Sequence, residues 1–203
     1  MATTGGPSHS PDPDPAAGPA AGPDLARLLA DHRPQGPVET ADHERARRLL
    51  AAADPWNRGT FPLHFTASAL IVHPPTRRVL LRWHVRQQAW LQVGGHGDPG
   101  ETEPLRIALR EGVEETGLTD LTPWPDAALV HVAVVPVPAS PVEPAHEHAD
   151  LRFLLATDTP DRARPENPAS PLQWLTVEEA GQRTTEDNLR ETLARVARLL
   201  PPA

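Results

Sequence analysis

The stretch GGHGDPGETEPLRIALREGVEETGL, Gly94 to Leu118, decides how the chain is read. Its first half is rich in Gly and Pro and reads as a loop. A helix begins near Thr102 to Pro104, where Pro is tolerated because first-turn N–H groups have no intrahelical partner. Gly117 ends the helix, since Gly enters the left-handed conformation without steric cost. At about 100° per residue, Leu105, Ala108, Leu109, Gly112 and Val113 share one face, which can pack on a sheet. Glu111, Glu114 and Glu115 share an arc of about 100° on the other side.

That arc carries the chemistry. Helix neighbours three and four apart have Cβ atoms about 5–6 Å apart. Like charges at that distance repel by about 3 kcal/mol per pair at an effective dielectric near 20, and by less when fully solvated. A divalent cation removes the penalty. Clustered carboxylate oxygens suit a hard ion, Mg²⁺ or Mn²⁺, which keeps waters and binds substrate phosphates as well. A lone E-x-x-E-E is ordinarily a solvated acidic face. Here a Gly-rich loop precedes it, Arg110 sits beside it and Gly117 closes it.

The combination resembles the Nudix box, G-x5-E-x7-R-E-U-x-E-E-x-G-U with U a bulky apolar residue. Gly95 to Glu101 matches the first half; Arg110-Glu111, Glu114-Glu115 and Gly117-Leu118 match the second. Two positions depart from the pattern. Eight residues separate Glu101 from Arg110, and Gly112 stands where a bulky apolar residue is usual. The extra residue falls at the loop-to-helix junction and bears on the role of Glu101 more than on the helix glutamates. Gly112 lets the helix approach a sheet closely, at up to about 1 kcal/mol of helix propensity relative to Ala. The segments HFTASALIV and WLQVGGH resemble a Nudix subgroup common in high-GC bacterial sequences. The resemblance covers Phe61 to the C-terminus.

Composition bounds the rest. The 203 residues allow one domain plus extensions, and the net charge of −8 argues against general nucleic-acid binding. There is no lysine, so a phosphate clamp must come from Arg, His, backbone N–H groups or metal. The absence of Cys excludes disulfides, Cys-ligated zinc and a thiol nucleophile. It also counts against the diphosphate isomerases of Nudix fold, which the box resembles but which use a catalytic cysteine. No apolar run is long enough to span a membrane, and no basic region with an apolar core marks the N-terminus for secretion. A soluble, cytoplasmic protein is expected.

In chain order, residues 1–23 are mostly Pro, Gly, Ala, Ser and Asp without apolar periodicity and read as a disordered tail. Residues 24–56 read as a helical extension. Asp24 to His32 forms a short amphipathic helix capped by Asp24, and Thr40 to Ala53 a second one capped by Thr40, with Ala46, Leu49 and Leu50 on its apolar side. Neither stands alone, so both pack on the main domain or on a second copy in a homodimer. His43 and Glu44 read as surface residues.

Residues 57–203 read as the main domain. Phe61 to Val72 is a strand whose continuous apolar end predicts burial on both faces. Pro74-Pro75-Thr76 turns into a strand at Val79 to Trp83, and Trp90 to Val93 leads into the box loop. Ala127 to Pro136 is a strand, Val137 to Ala149 a loop and Asp150 to Ala156 another strand. A Pro-rich loop, Thr159 to Ser170, precedes a last strand at Leu172 to Val177, with a turn at Glu178 to Gly181. Thr185 to Leu200 closes the chain as an amphipathic helix with Leu189, Leu193, Val196 and Leu200 on its core face.

The resemblance implies an α/β/α sandwich around a mixed β-sheet and metal-dependent hydrolysis of a diphosphate linkage in a nucleoside diphosphate derivative. It places the metal on Glu111, Glu114 and Glu115 with the Gly95 carbonyl, and makes Glu101 an auxiliary ligand or structural partner. Glu111 also orients or deprotonates water, and Arg110 holds a box carboxylate. An extra base from a loop is sought at Glu147, then His146, then Asp150. Arg82 and Arg86 can reach a diphosphate or stand as solvated strand-end arginines, and Trp90 can stack on a base or pack beside the loop. Among the Nudix subfamilies, the resemblance lacks the Tyr of diadenosine polyphosphate hydrolases, the Cys site of NADH pyrophosphatases and a coenzyme A signature, and fits the ADP-ribose group's Pro spacing poorly; it ranks nucleoside triphosphates and sugar nucleotides together as implied substrates. The rival reading is a non-catalytic nucleotide-binding Nudix sensor. The intact glutamates and the lack of a basic helix-turn-helix weigh against it.

Overall fold

The structure, a computed structural model, describes residues 24–202. The expected disordered tail, 1–23, lies outside the described residues. The chain forms α1 (Leu25–Asp31), α2 (Gly36–Leu49), β1 (Leu63–His73), β2 (Arg78–His84), β3 (Ala89–Leu91), β4 (Val93–Gly95), α3 (Pro104–Thr116), β5 (Thr122–Pro123), β6 (His131–Val137), β7 (His146–Ala156), β8 (Leu172–Thr176), α4 (Val177–Arg183) and α5 (Asp187–Leu199). All strands among these residues join one mixed sheet.

β1 is its centre. It runs parallel to β7 from Leu63 opposite Glu147 to Val72 opposite Ala156. Its other edge is shared, β4 pairing at Ala67–Ala69 and β2 at Ile71–His73, both antiparallel. With partners on both edges and helices on both faces, β1 is buried at every interior position. This is the burial that its apolar run predicts.

Strand alternation divides the core in two. Phe65, Ala67, Ala69 and Ile71 of β1 pack with Ile107 and Ala108 of α3, Leu28 and Leu29 of α1 and Ala46 of α2. Leu70 and Val72 pack on the other face with Ala180 of α4 and Leu189, Leu193 and Val196 of α5. That second face is apolar for only half its length. Toward the start of β1 it carries His64, Thr66 and Ser68, all buried, and β7 places His148, Asp150 and Arg152 beside them.

Several boundaries differ from expectation for local reasons. α2 starts at Gly36, with Pro37 in its first turn, so Thr40 lies inside it and donates its hydroxyl to the Gly36 carbonyl at 2.7 Å. His43 is buried, 2.7 Å from the Leu29 carbonyl, whereas Glu44 is exposed. The expected turn at Glu178 to Gly181 is α4, fixed by a capping box in which the Thr176 and Glu179 side chains bond each other's backbone N–H groups. β6 begins four residues after Ala127, at His131. β7 begins at His146 inside the expected loop, because ten consecutive residue pairs with β1 extend the ladder through polar side chains. In α3, Ile107 and Thr116 are buried and Val113 is exposed, so the core-facing stripe is rotated from the expected one.

The N-terminal helices are fastened by a buried charge. Glu39 of α2 accepts from Arg195 of α5 at 2.7 Å, from the Val132 N–H of β6 at 3.0 Å and from the Gln35 N–H, and lies 2.8 Å from His32 Nε2. Burial alone would raise its pKa; the bonds to His32, Gln35, Arg195 and Val132 outweigh that and hold it well below the ordinary carboxylate range. A depressed folded-state pKa stabilises the protein fully above the unfolded value and is lost as pH falls. Glu39→Gln should therefore cost about 3 kcal/mol or more in chemical denaturation near neutral pH, since it leaves Arg195 buried without its charge partner. The difference between wild type and variant should shrink as the pH is lowered below 4.5, the ordinary value for this carboxyl. A constant difference would contradict this account.

Candidate active site

α3 delivers three glutamates to two different environments. Glu111 and Glu115, one turn apart, turn toward β4, whereas Glu114 is half exposed. Two glycines allow the approach. A Cβ on Gly95 would lie 2.5 Å from Glu111 Oε1. Gly94, at φ +148°, lies so close to β1 that a Cβ would meet the Ser68 Cβ at 2.3 Å and the Ala67 carbonyl oxygen at 2.8 Å. Gly112 serves packing, its Cα side facing Leu121. Gly117 ends α3 at φ 67°, its N–H bonded to the Val113 carbonyl at 2.8 Å.

Arg110 ties loop to helix. Its Nε and Nη2 donate to Glu101 Oε2 at 3.1 and 3.0 Å, and Nη2 also to the His96 carbonyl at 2.8 Å. Its Nη1 donates to Glu111 Oε1 at 3.1 Å and Glu114 Oε2 at 3.0 Å. The extra residue between Glu101 and Arg110 is thus absorbed before α3 begins at Pro104. Glu101 also accepts from the Asp98 N–H at 2.9 Å, which closes the loop on itself. Burial pulls the Arg110 pKa down, but Glu101 and the charges of Glu111 and Glu114 raise it above its usual value.

Glu115 accepts from the Gly94 N–H at 3.2 Å and pairs with Arg82 of β2 at 3.0 Å. Burial raises its pKa to about 7 despite Arg82 and that N–H, with Glu111 and Glu166 adding repulsion. Burial raises Glu111 as well, against Arg110. Two carboxylates held out of water, with incomplete compensation from two arginines, form a hard-oxygen donor set that fits a divalent cation. Glu111 and Glu115 can hold such an ion, with Gly95 against Glu111 and Glu114 on the solvent side.

Glu111 and the loop from Gly94 to Pro99 form one wall of a cavity of about 1270 Å³. The opposite wall is Val135–Pro141, and the polar half of the sheet is the floor. On that floor Asp150 accepts from Thr66 at 3.0 Å, Ser68 at 2.8 Å, Gln92 at 3.3 Å and Arg152 at 2.8 Å. Arg152 reaches on to Asn188 Oδ1 at 2.7 Å and Thr192 at 3.0 Å, in α5.

A family model of the NUDIX domain matches residues 62–197. The chain belongs to the Nudix family of pyrophosphohydrolases. Solved structures of related fold align with about two thirds of the chain. An Ap4A hydrolase of C. elegans, in a binary complex, is 21% identical with a TM-score of 0.54, covering 66% of this chain and 96% of its own. The Nudix hydrolase RenU of M. smegmatis is 18% identical with a TM-score of 0.51, covering 69% and 89%. The dihydroneopterin triphosphate pyrophosphohydrolase of E. coli is 19% identical with a TM-score of 0.50, covering 66% and 93%. These likenesses concern the fold. No curated protein matches the chain in sequence. No helix among the described residues is long and apolar enough to cross a membrane.

The residues singled out from the sequence are not all gathered at the Nudix box. Glu101, Arg110, Glu111, Glu114, Glu115 and Gly95 meet there, and Arg82 joins them through Glu115. Arg86 stands on the cavity rim, 3.5 Å from Glu143. Trp90 lies away from the cavity, packed in the α5-side core with the Arg183 guanidinium 5.6 Å from its ring. Glu147 is held in a salt bridge by Arg45 of α2, which lowers its pKa. It alternates away from His146 and His148, so the structure does not bring it to the box. Sequence reasoning missed Thr66, Ser68, Gln92 and Arg152. The signal was present in His146, His148, Asp150 and Arg152, spaced by two as one strand face requires.

The two glycines should respond differently to a methyl group. Gly94→Ala meets backbone and should lower thermal stability markedly. Gly95→Ala meets the end of a flexible Glu111 side chain. It should leave the melting temperature near wild type while weakening Mg²⁺ binding, read by calorimetry. Equal losses of stability in both variants would contradict the geometry.

Proposed function

We propose that this Nudix enzyme hydrolyses a diphosphate linkage in a nucleoside diphosphate derivative, a nucleoside triphosphate or sugar nucleotide, with Mg²⁺ or Mn²⁺. The observation that carries the reading is the pair of buried carboxylates, Glu111 and Glu115, raised in pKa, with Glu111 lining a cavity large enough for a nucleotide. When bound, the metal neutralises pyrophosphate charge and acidifies water.

The chain's own groups divide the remaining work. Arg110 holds Glu111 through Oε1 and fixes its orientation. Glu111, whose carboxyl burial has made more basic, accepts the proton of the attacking water. The Gly94 N–H and Arg82 set the position of Glu115. Arg86 on the rim is placed to meet phosphate oxygens, and the Asp150–Arg152 floor offers fixed polar groups to the nucleoside end.

Phosphate and pyrophosphate release from a panel of nucleoside triphosphates and nucleotide sugars tests the proposal. Wild type should turn over one class with Mg²⁺ or Mn²⁺. Glu115→Gln should lose about a hundredfold or more in kcat, the scale of removing a major electrostatic group from an active site, while keeping its fold by circular dichroism. Full activity in that variant would overturn the assignment.

A further inference from the structure

Beside the box, four histidines converge. His64 lies near the start of β1, His146 and His148 on β7, and His96 directly after β4. His64 and His148 are register partners of the parallel pair, so their side chains leave the same face. Ring centroids are 5.1 Å apart for His64–His96, 4.9 Å for His64–His148, 4.7 Å for His96–His148 and 5.0 Å for His146–His148. We propose that these histidines form a second metal site, selective for an imidazole-preferring divalent transition-metal ion of the Zn²⁺ type and separate from the carboxylate site of the box.

The atoms that would bind point inward. The Nε2 atoms of His64 and His96 are 3.1 Å apart, as are those of His146 and His148. Ligating nitrogens of His64, His146 and His148 all lie within 4.8 Å of one another. A tetrahedral ion with Zn–N near 2.05 Å needs ligand nitrogens about 3.3 Å apart, so the rings of His64, His146 and His148 would draw together on binding, with His96 joining through its contact with His64. The outer nitrogens are committed elsewhere. His64 Nδ1 lies 3.1 Å from the Thr60 carbonyl and His146 Nδ1 2.9 Å from the Pro144 carbonyl. A carbonyl accepts only from N–H, so in the neutral form each ring carries its proton on Nδ1 and turns the Nε2 lone pair to the centre. Backbone carbonyls orient metal-binding histidines in this way.

Charge agrees with the geometry. Burial, together with neighbouring histidines and Arg58, holds His148 at about 4, and burial also lowers His64. Neutral imidazoles are the ligating form. Soft-to-borderline nitrogen donors discriminate against Mg²⁺, which the box carboxylates suit. His96 and His148 line the cavity, which gives the ion a path of access. Without metal, His96 and His148 satisfy the cluster by donating N–H to His64 and His146. A bound ion would clamp the box loop to β1 and β7 on the cavity wall.

The test uses the tag-free full chain, stripped with chelator and titrated with Co²⁺. One equivalent should give the intense visible bands of tetrahedral nitrogen-ligated Co²⁺, and Zn²⁺ but not Mg²⁺ should abolish them. The bands should persist in the Glu111→Gln/Glu115→Gln double variant and be lost in His146→Gln. As a readout independent of any variant, Zn²⁺ should shift the ring Nε2 resonances of the four histidines in wild-type protein. Weak octahedral bands that vanish in the glutamate variant, with ring nitrogens unmoved by Zn²⁺, would overturn the proposal.

Discussion

The guanidinium of Arg110 is the constraint on which the site depends. An acidic helix face repels itself, and a Gly- and Pro-rich loop has little intrinsic order. Arg110 answers both by spanning Glu101, Glu111, Glu114 and the His96 carbonyl with one planar fork. A lysine ammonium is a point charge and offers no fixed fork to reach the same four acceptors. Neutralisation remains partial, because Glu111 and Glu115 keep raised pKa values from burial. That residual deficit is what a divalent cation in the proposed site would relieve.

The sheet supports this site by being two-faced along its length. Where α4 and α5 cover it, Leu70, Val72 and Leu154 form ordinary core. Beyond the cover, the same strands carry Thr66, Ser68, Asp150 and Arg152 at the same alternation. Asp150 accepts from four side chains, so the polar floor is rigid without apolar packing. The N-terminal helices complete the other face through Leu28, Leu29 and Ala46, anchored by Glu39 to α5.

Periodicity and cap chemistry made most of the fold legible. The apolar run of β1, the helix from Pro104 to its Gly117 stop, and the stripe Leu189–Leu193–Val196 of α5 each carry one dominant signal. The start of β7 was misread because His-Glu-His looks like a polar loop; its pairing with β1 is a long-range property. α2 was misread because Thr40 suits a cap, while Pro37 in a first turn suits one better. At the site, the box residues were legible because helix spacing places them. The Asp150–Arg152 floor and the histidine cluster come from strands distant in sequence, and only the register of β1 on β7 unites them. Glu147 attracted attention as a carboxylate near a strand, but alternation turns it toward Arg45.

Diffraction from Mn²⁺-soaked crystals, with data collected at the manganese edge, tests the central claim most directly. The account predicts an anomalous peak within coordination distance of Glu111 and Glu115, beside the Gly95 carbonyl, with Arg110 still holding Glu101. Crystals with no peak at these carboxylates under saturating Mn²⁺, and Glu111 and Glu115 paired only with arginine, would contradict it.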